Sequence, residues 1–333
     1  MQAIVVKAIG RFELTNVPKP SPRSGEVLIE VAVAGFCRTD LKIIEVGHRD
    51  LVLPRIPAEE VVGTVCDCGS PEDRHLIGKR VYVYPGTSCG FCIPCKNGAE
   101  NLCAEMRIMG FHRDGGFAQY VVSPVASILE IHGNTSFEQA VFAEPLSCCL
   151  NALELSQLKK GETIAIWGGG PAGTLLSRAA LAIGANVVVI ETDERRRKLI
   201  QGLSCVPDEM FDVAIVAAGS CDAYEQAIRH LNLRGRLIVF SGLAPDNAKQ
   251  SIDLNQLHYN EQSVTGAYGC SYRHGEQALK WISEAKVVVT DMISHRLPLR
   301  ELSQALNLVR NRLGMKILLY PNGMEGRDES GRD

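Results

Sequence analysis

Four cysteines fall within fifteen residues of this 333-residue chain, at Cys89, Cys92, Cys95 and Cys103, in the spacing C-x2-C-x2-C-x7-C. Four thiolates that close together can wrap one tetrahedral Zn²⁺ and leave no coordination position open, so the group ties down a loop without performing chemistry. A bacterial iron–sulfur run would end C-x3-C-P, whereas here seven residues intervene and no such proline follows. Disulfide pairing fits the context poorly. No secretory apolar stretch opens the chain (MQAIVVKAIGRFEL), and twelve cysteines without one suit a reducing, cytoplasmic compartment. Cys66, Cys68, Cys205, Cys221 and Cys270 have no metal-site context and are expected to be buried as small apolar side chains.

A second chemistry-bearing stretch reads Gly168-Gly169-Gly170-Pro171-Ala172-Gly173, a G-x-G-x-x-G pattern on Gly168, Gly170 and Gly173. It follows an apolar run (ETIAIW) and opens a helical one, and the acidic residue Glu191 ends the next apolar run eighteen residues after Gly173. Glycines there permit a tight turn and let a pyrophosphate approach free N–H groups at a helix N-terminus. Glu191 suits the adenosine ribose hydroxyls and repels a 2′-phosphate, which favours NAD over NADP. Arg195, Arg196 and Arg197 follow closely. They read as a solvated first turn with one arginine, Arg196, near the adenine end.

The elements that must position these groups divide the chain in two. Up to about residue 145, short alternating runs broken by Gly and Pro (Gly25–Ala34, Glu60–Val65, Lys79–Tyr84) predict antiparallel strands. From about Gly161, strands alternate with helices: Glu162–Trp167, Pro171–Ile183, Asn186–Ile190, Phe211–Ala217 and Gly235–Phe240. That alternation predicts a parallel, doubly wound sheet of Rossmann type. Only nineteen residues separate Glu191 from Phe211, too few for a helix, a third strand and its crossover, so one edge strand is expected to be missing or vestigial. A helix (Leu299–Arg310) and a last strand (Lys316–Tyr320) precede a polar tail at 322–333. A net charge of −3 gives no general attraction to nucleic acid or anionic membranes, and no run of eighteen apolar residues occurs. With no basic stripe beside the cysteines, a zinc-finger nucleic-acid binder is disfavoured.

These pieces in this order resemble the zinc-dependent medium-chain dehydrogenase/reductase family, which includes alcohol, sorbitol and threonine dehydrogenases. The resemblance rests on the four-cysteine lobe, GGGPAG, DGGFAQYVV (Asp114–Val122), KILLYP, and GFCRTD at Gly35–Asp40. It implies a GroES-like β domain over 1–145, completed by about 294–321, and a Rossmann domain over 146–293, with a homodimeric or homotetrameric assembly. It also implies that Cys37 is a catalytic-zinc ligand, that Thr39 passes on the alcohol proton, that Asp40 supports the ligands, and that Arg38 meets the cofactor pyrophosphate. Where the family reads G-H-E-x-x-G, this chain reads Ala58-Glu59-Glu60-Val61-Val62-Gly63, so Glu59 stands in the histidine ligand's place. Glu144 in AEPLS matches the third ligand in its polyol-dehydrogenase form, and Glu60 takes the supporting or alternate-ligand position. His48 is a candidate end of the proton relay, Tyr268 and Phe111 are candidate pocket residues, and His258 is expected to pack beneath the site.

Cys37, Glu59 and Glu144 together carry three negative charges once ionised, leaving a Zn²⁺ site at about −1 before substrate binds. Bound water falls from ~15.7 towards ~7 only where the metal remains a strong Lewis acid. Zinc through Glu59 with reduced acidity, a harder metal such as Mn²⁺ or Fe²⁺, and an empty site are the three outcomes this ligand set allows. The functional expectation is NAD-dependent oxidation of a secondary alcohol of the polyol, sugar or cyclitol class to a ketone. The alternatives are a metal-independent NAD(P)H reductase of the same fold and an inactive NAD-binding protein.

Overall fold

The structure is a computed structural model that describes residues 1–323. The polar tail expected at 322–333 lies, beyond Gly323, outside the described residues. The chain forms two compact units, Met1–Glu144 together with the described residues from Ser271 on, and Pro145–Cys270. The sequence pattern places the return to the first unit near residue 294. In the structure the helix Tyr272–Ser283 already belongs to the first unit. Tyr272 shows why: its N–H donates to Glu100 and its hydroxyl to the Ile128 carbonyl, both first-unit partners.

The first unit is built on a seven-stranded sheet centred on the long strand Glu26–Phe36. That strand pairs antiparallel with Val61–Cys68, Tyr120–Pro124 and the final strand Lys316–Tyr320. Its run VLIEVAVAGF is buried along nearly its whole length, as a strand covered on both faces requires. Ile293–Pro298, which the sequence shows only as a proline-containing segment, is a strand parallel to Lys316–Tyr320, with Pro298 at its end where no ladder N–H is needed. Asn322 closes the return by donating to the carbonyls of Val31 and Gln119. Ile29, Val31, Phe36, Val61, Phe117, Ile317 and Leu319 lie at the centre of the core.

The second unit is a five-stranded parallel sheet. From one edge, its strands are Asn186–Ile190, Thr163–Trp167, Phe211–Val216, Leu231–Val239 and Ser263–Gly266. Asn186–Ile190 is the edge, and beyond it, among the described residues, a single bridge, Ile190 to Leu203, occupies the third strand's position. The short Glu191–Phe211 connection therefore has the consequence expected of it. The helix Pro171–Ile183 starts at Pro171, where a missing N–H costs nothing, and stops at Gly184 with φ 93°.

Candidate active site

Every residue of the expected catalytic cluster lies in the first unit. The strand Glu26–Phe36 ends one residue before Cys37, which caps the helix Arg38–Glu45. The Asp40 carboxylate, buried in the first turn, accepts the Cys37 N–H at 2.9 Å and so fixes the cysteine at the strand–helix corner. Burial, offset in part by that hydrogen bond, and the nearby Glu60 raise the Asp40 pKa to about 7. Burial also pushes the Cys37 thiol well up, and the negative charges of Asp40, Glu60 and Glu59 push it further. Arg38 is exposed and Thr39 half-buried on the first helical turn.

Glu59 and Glu60 sit on the approach to the strand Val61–Cys68 and split in role. Glu60 is 2% exposed, and both its oxygens accept from the Lys316 ammonium, at 2.5 and 2.6 Å. Gly35 is indispensable to this geometry, because a Cβ there would lie 1.7 Å from Glu60 Oε2. Burial alone would lower the Lys316 pKa, but Glu60, Cys37 and Glu144 together carry it above the usual lysine value. Lys316 also stands 5.6 Å from the centre of the Phe142 ring. Glu60, expected as a supporting or alternate ligand, is thus engaged by an ammonium, while Glu59 is half-buried beside Cys37. The residue before them, Ala58, is held at φ 87°, a left-handed conformation that costs an L-residue free energy. Gly115, Gly116 and Phe117 donate to the carbonyls of Ile56, Ala58 and Pro57 and hold that strained turn in place.

The four-cysteine lobe is gathered as its spacing requires. All four sulfurs lie within 4.8 Å of one another, with Cys92–Cys95 at 3.4 Å and Cys89–Cys95 at 3.9 Å. Zn–S bonds of ~2.3 Å in a tetrahedron place sulfurs about 3.8 Å apart, so the cluster is dimensioned for zinc. The Phe91 N–H lowers the Cys89 thiol pKa, favouring the thiolate a metal needs.

In the second unit Gly168 adopts φ 107°, and a Cβ on Gly173 would fall 1.7 Å from the Gly168 carbonyl. Both positions of the G-x-G-x-x-G pattern are therefore fixed by sterics. The Glu191 carboxylate accepts the N–H groups of Gly169 and Asp193, each at 2.8 Å, and the Arg196 guanidinium lies against Gly170.

Residues 23–133 match the alcohol dehydrogenase GroES-like domain. Along nearly its full length the chain is similar to sorbitol dehydrogenase of Bacillus subtilis (strain 168), 29% identical over 348 residues, 97% of this chain and 98% of that one. It is 28% identical to D-altritol 5-dehydrogenase of Agrobacterium fabrum over 318 residues, covering 91% and 94%. A zinc-binding dehydrogenase from Sinorhizobium meliloti 1021, solved with NADP, has a TM-score of 0.88 at 28% identity, covering 96% of this chain and 99% of that one. The chain belongs to the zinc-type medium-chain dehydrogenases. As in that family, its GroES-like domain carries a four-cysteine structural zinc site and is joined to a Rossmann-type domain.

Within this family member several expectations move. His48 packs edge-on against Phe111 at 4.9 Å and lies 3.5 Å from Asp50. Burial lowers its pKa. His258 does not pack beneath the site: it is exposed, edge-on to Tyr259 at the end of a short helix. Cys66 and Cys205 are exposed rather than buried, since strand alternation at Cys66 and a connecting loop at Cys205 face them outward. Cys270 is buried as expected, but its sulfur lies within 4.8 Å of Cys148. Sequence reasoning missed Lys316. Its signal was a charged residue opening a strand, KILLY, whose other members are all apolar or aromatic.

No helix among the described residues is long and apolar enough to cross a membrane.

Proposed function

We propose that this chain is an NAD-dependent dehydrogenase that oxidises a secondary alcohol of the polyol, sugar or cyclitol class to a ketone, using a catalytic zinc held by Cys37, Glu59 and Glu144. The observation that carries the reading is the donor set around Cys37: a partly buried thiol among Asp40, Glu59 and Glu60, its pKa raised first by burial and then by those negative charges, against the lowering effect of the Lys316 ammonium. Such a donor set gains from a divalent cation, which would favour the thiolate. Bound there, zinc would supply Lewis acidity to the substrate hydroxyl, and NAD at the glycine-rich turn would supply the hydride acceptor.

The chain's own residues do the rest. Asp40 holds Cys37 in place through its N–H. Thr39, two residues on, offers a hydroxyl that can both accept and donate and so hand a proton away from the substrate oxygen. His48, kept neutral by burial, is the candidate end of that relay. Gly168, Gly170, Pro171, Ala172 and Gly173 form the cradle for the pyrophosphate, with Arg38 and Arg196 supplying positive charge. Glu191 takes the ribose hydroxyls and disfavours a 2′-phosphate. The names of the relatives, sorbitol and D-altritol dehydrogenases, support the polyol class.

The test is dinucleotide reduction by the zinc-loaded protein across a panel of secondary alcohols, with zinc counted per chain. Turnover with NAD, two zincs per chain, and loss of both one zinc and activity in Cys37→Ala are expected. Dinucleotide binding without turnover of any alcohol would sink the reading. Because an extra anionic ligand raises the pKa of a bound alcohol, Glu59→His should keep its metal and shift the rising limb of kcat to lower pH.

A second reading rests on Lys316, whose ammonium already faces Glu60, Cys37 and Glu144 and supplies positive charge without a metal. One zinc per chain, all of it in the lobe, with turnover preserved would select a metal-independent reductase instead.

A further inference from the structure

The second unit begins at Pro145 and ends at Cys270. Cys148 sits on the helix by which the chain enters this unit, and Cys270 is the residue at which it leaves. Their sulfurs lie within 4.8 Å of each other. The closeness is structural rather than incidental, because the same helix grips the exit segment through another side chain. Asn151 Nδ2 donates to the Gly269 carbonyl at 2.9 Å and reaches the Tyr268 carbonyl at 3.5 Å. Residues 148 and 151 are three apart and share a helix face, so residues 268–270 are docked along that face. Cys148 is partly exposed and Cys270 is buried. The adjacent Cys149 is buried and points elsewhere, its sulfur directed at the Ala172 carbonyl at 3.5 Å.

We propose that Cys148 and Cys270 are a redox pair that closes to a reversible disulfide by exchange with a low-molecular-weight disulfide such as oxidised glutathione. The accessible Cys148 thiolate attacks one sulfur of that disulfide, forming a mixed disulfide and releasing one thiolate. The Cys270 thiolate then attacks Cys148 Sγ and expels the second. Two protein thiols are oxidised to one disulfide, one small disulfide is reduced to two thiols, and the two protons go to the departing thiolates. Closing from no more than 4.8 Å to a ~2.05 Å bond lies within the reach of side-chain rotation on a docked segment. The bridge would fasten the entry helix of the unit to its exit.

The experiment uses the full zinc-loaded chain, first reduced and desalted, then equilibrated with oxidised glutathione, quenched with acid, alkylated and cut with trypsin. Cleavage gives the peptides 114–159, holding Cys148 and Cys149, and 250–273, holding Cys270 alone. The expected product is these two peptides joined, two hydrogens lighter than their sum and separated again by dithiothreitol. Cys149→Ser should keep the link and Cys148→Ser should lose it, with zinc content and circular dichroism unchanged in both. The proposal is overturned if the link survives in Cys148→Ser. It is equally overturned if Cys148 stops at a stable glutathione adduct while Cys270 stays alkylatable. Retention of both thiols as ligands of an additional zinc that blocks oxidation would also overturn it.

Discussion

The four-cysteine lobe and the Cys37 cluster are both built to hold charge at a fixed point, and they do so by opposite routes. The lobe draws its ligands from fifteen consecutive residues, so a few turns bring the sulfurs together and little else in the chain is needed. The Cys37 cluster draws on residues near 37, 59, 144 and 316, which meet only when three strands of the central sheet are in register. A site of the first kind depends on its metal, because the loop has few apolar side chains to bury: Phe91, Ile93 and Leu102 are all exposed. A site of the second kind depends on the core. The difference predicts which perturbation should damage which site.

The largest effect is expected from removing the lobe's metal. Structural zinc contributes on the order of 10 kcal/mol to the folding of small zinc modules, so Cys95→Ser should release one zinc and leave the lobe locally unfolded. Trypsin cleavage after Lys96 should then rise by at least ~100-fold, as expected for a segment that stays open. The sheet around Cys37 should remain folded, since it owes its stability to the core and not to the lobe. Trp281 in the first unit and Trp167 in the second provide separate fluorescence reporters for this. If the Trp281 signal collapses together with the lobe, the two sites are not independent and the comparison fails.

The next effect falls on the Cys37 cluster. Lys316→Met strands a Glu60 carboxylate that is 2% exposed, and breaking a buried pair from one side costs about 3–5 kcal/mol. Removing both charges, as in Lys316→Met with Glu60→Gln, should recover at least half of that loss. Urea unfolding followed through Trp281 in a Trp167→Phe background measures both variants. Equal instability of the single and double variants would mean that the ammonium matters for reasons other than pairing.

The same contrast explains what could be read from the sequence. Cys89, Cys92, Cys95 and Cys103 announce their site by spacing, and Gly168 and Gly173 do so by sterics that only glycine satisfies. The vestigial edge strand followed from counting residues between Glu191 and Phe211, a local quantity. Lys316 could not be assigned a partner, because nothing local says which of the chain's acidic residues a lysine 256 positions away will meet. Ser263–Gly266 was missed for a related reason: four residues, SVTG, carry too little pattern to mark a strand until Leu231–Val239 supplies the pairing. Spacing within one loop survives as a signal. Pairing across the sheet does not.

The smallest effect sharpens the comparison at the one strained point of the Cys37 cluster. Ala58 lies at φ 87° immediately before Glu59, fully buried, with the Gly115–Phe117 segment bonded against it. Ala58→Gly would release about 1–3 kcal/mol of backbone strain. Against that stand ~0.8 kcal/mol for the buried methyl and ~0.5–1 kcal/mol for the freedom glycine adds to the unfolded chain. The net expectation is a gain of about 0.5 kcal/mol, visible as a small rise in Tm, whereas the β-branched Ala58→Val should lose ~2 kcal/mol or more at the same φ. If the strained turn is what aims Glu59 at Cys37, Ala58→Gly will be the more stable protein and the weaker binder of the second zinc. A variant that gains stability and keeps full metal affinity would show that the strain is incidental and that Glu59 is positioned by the sheet alone.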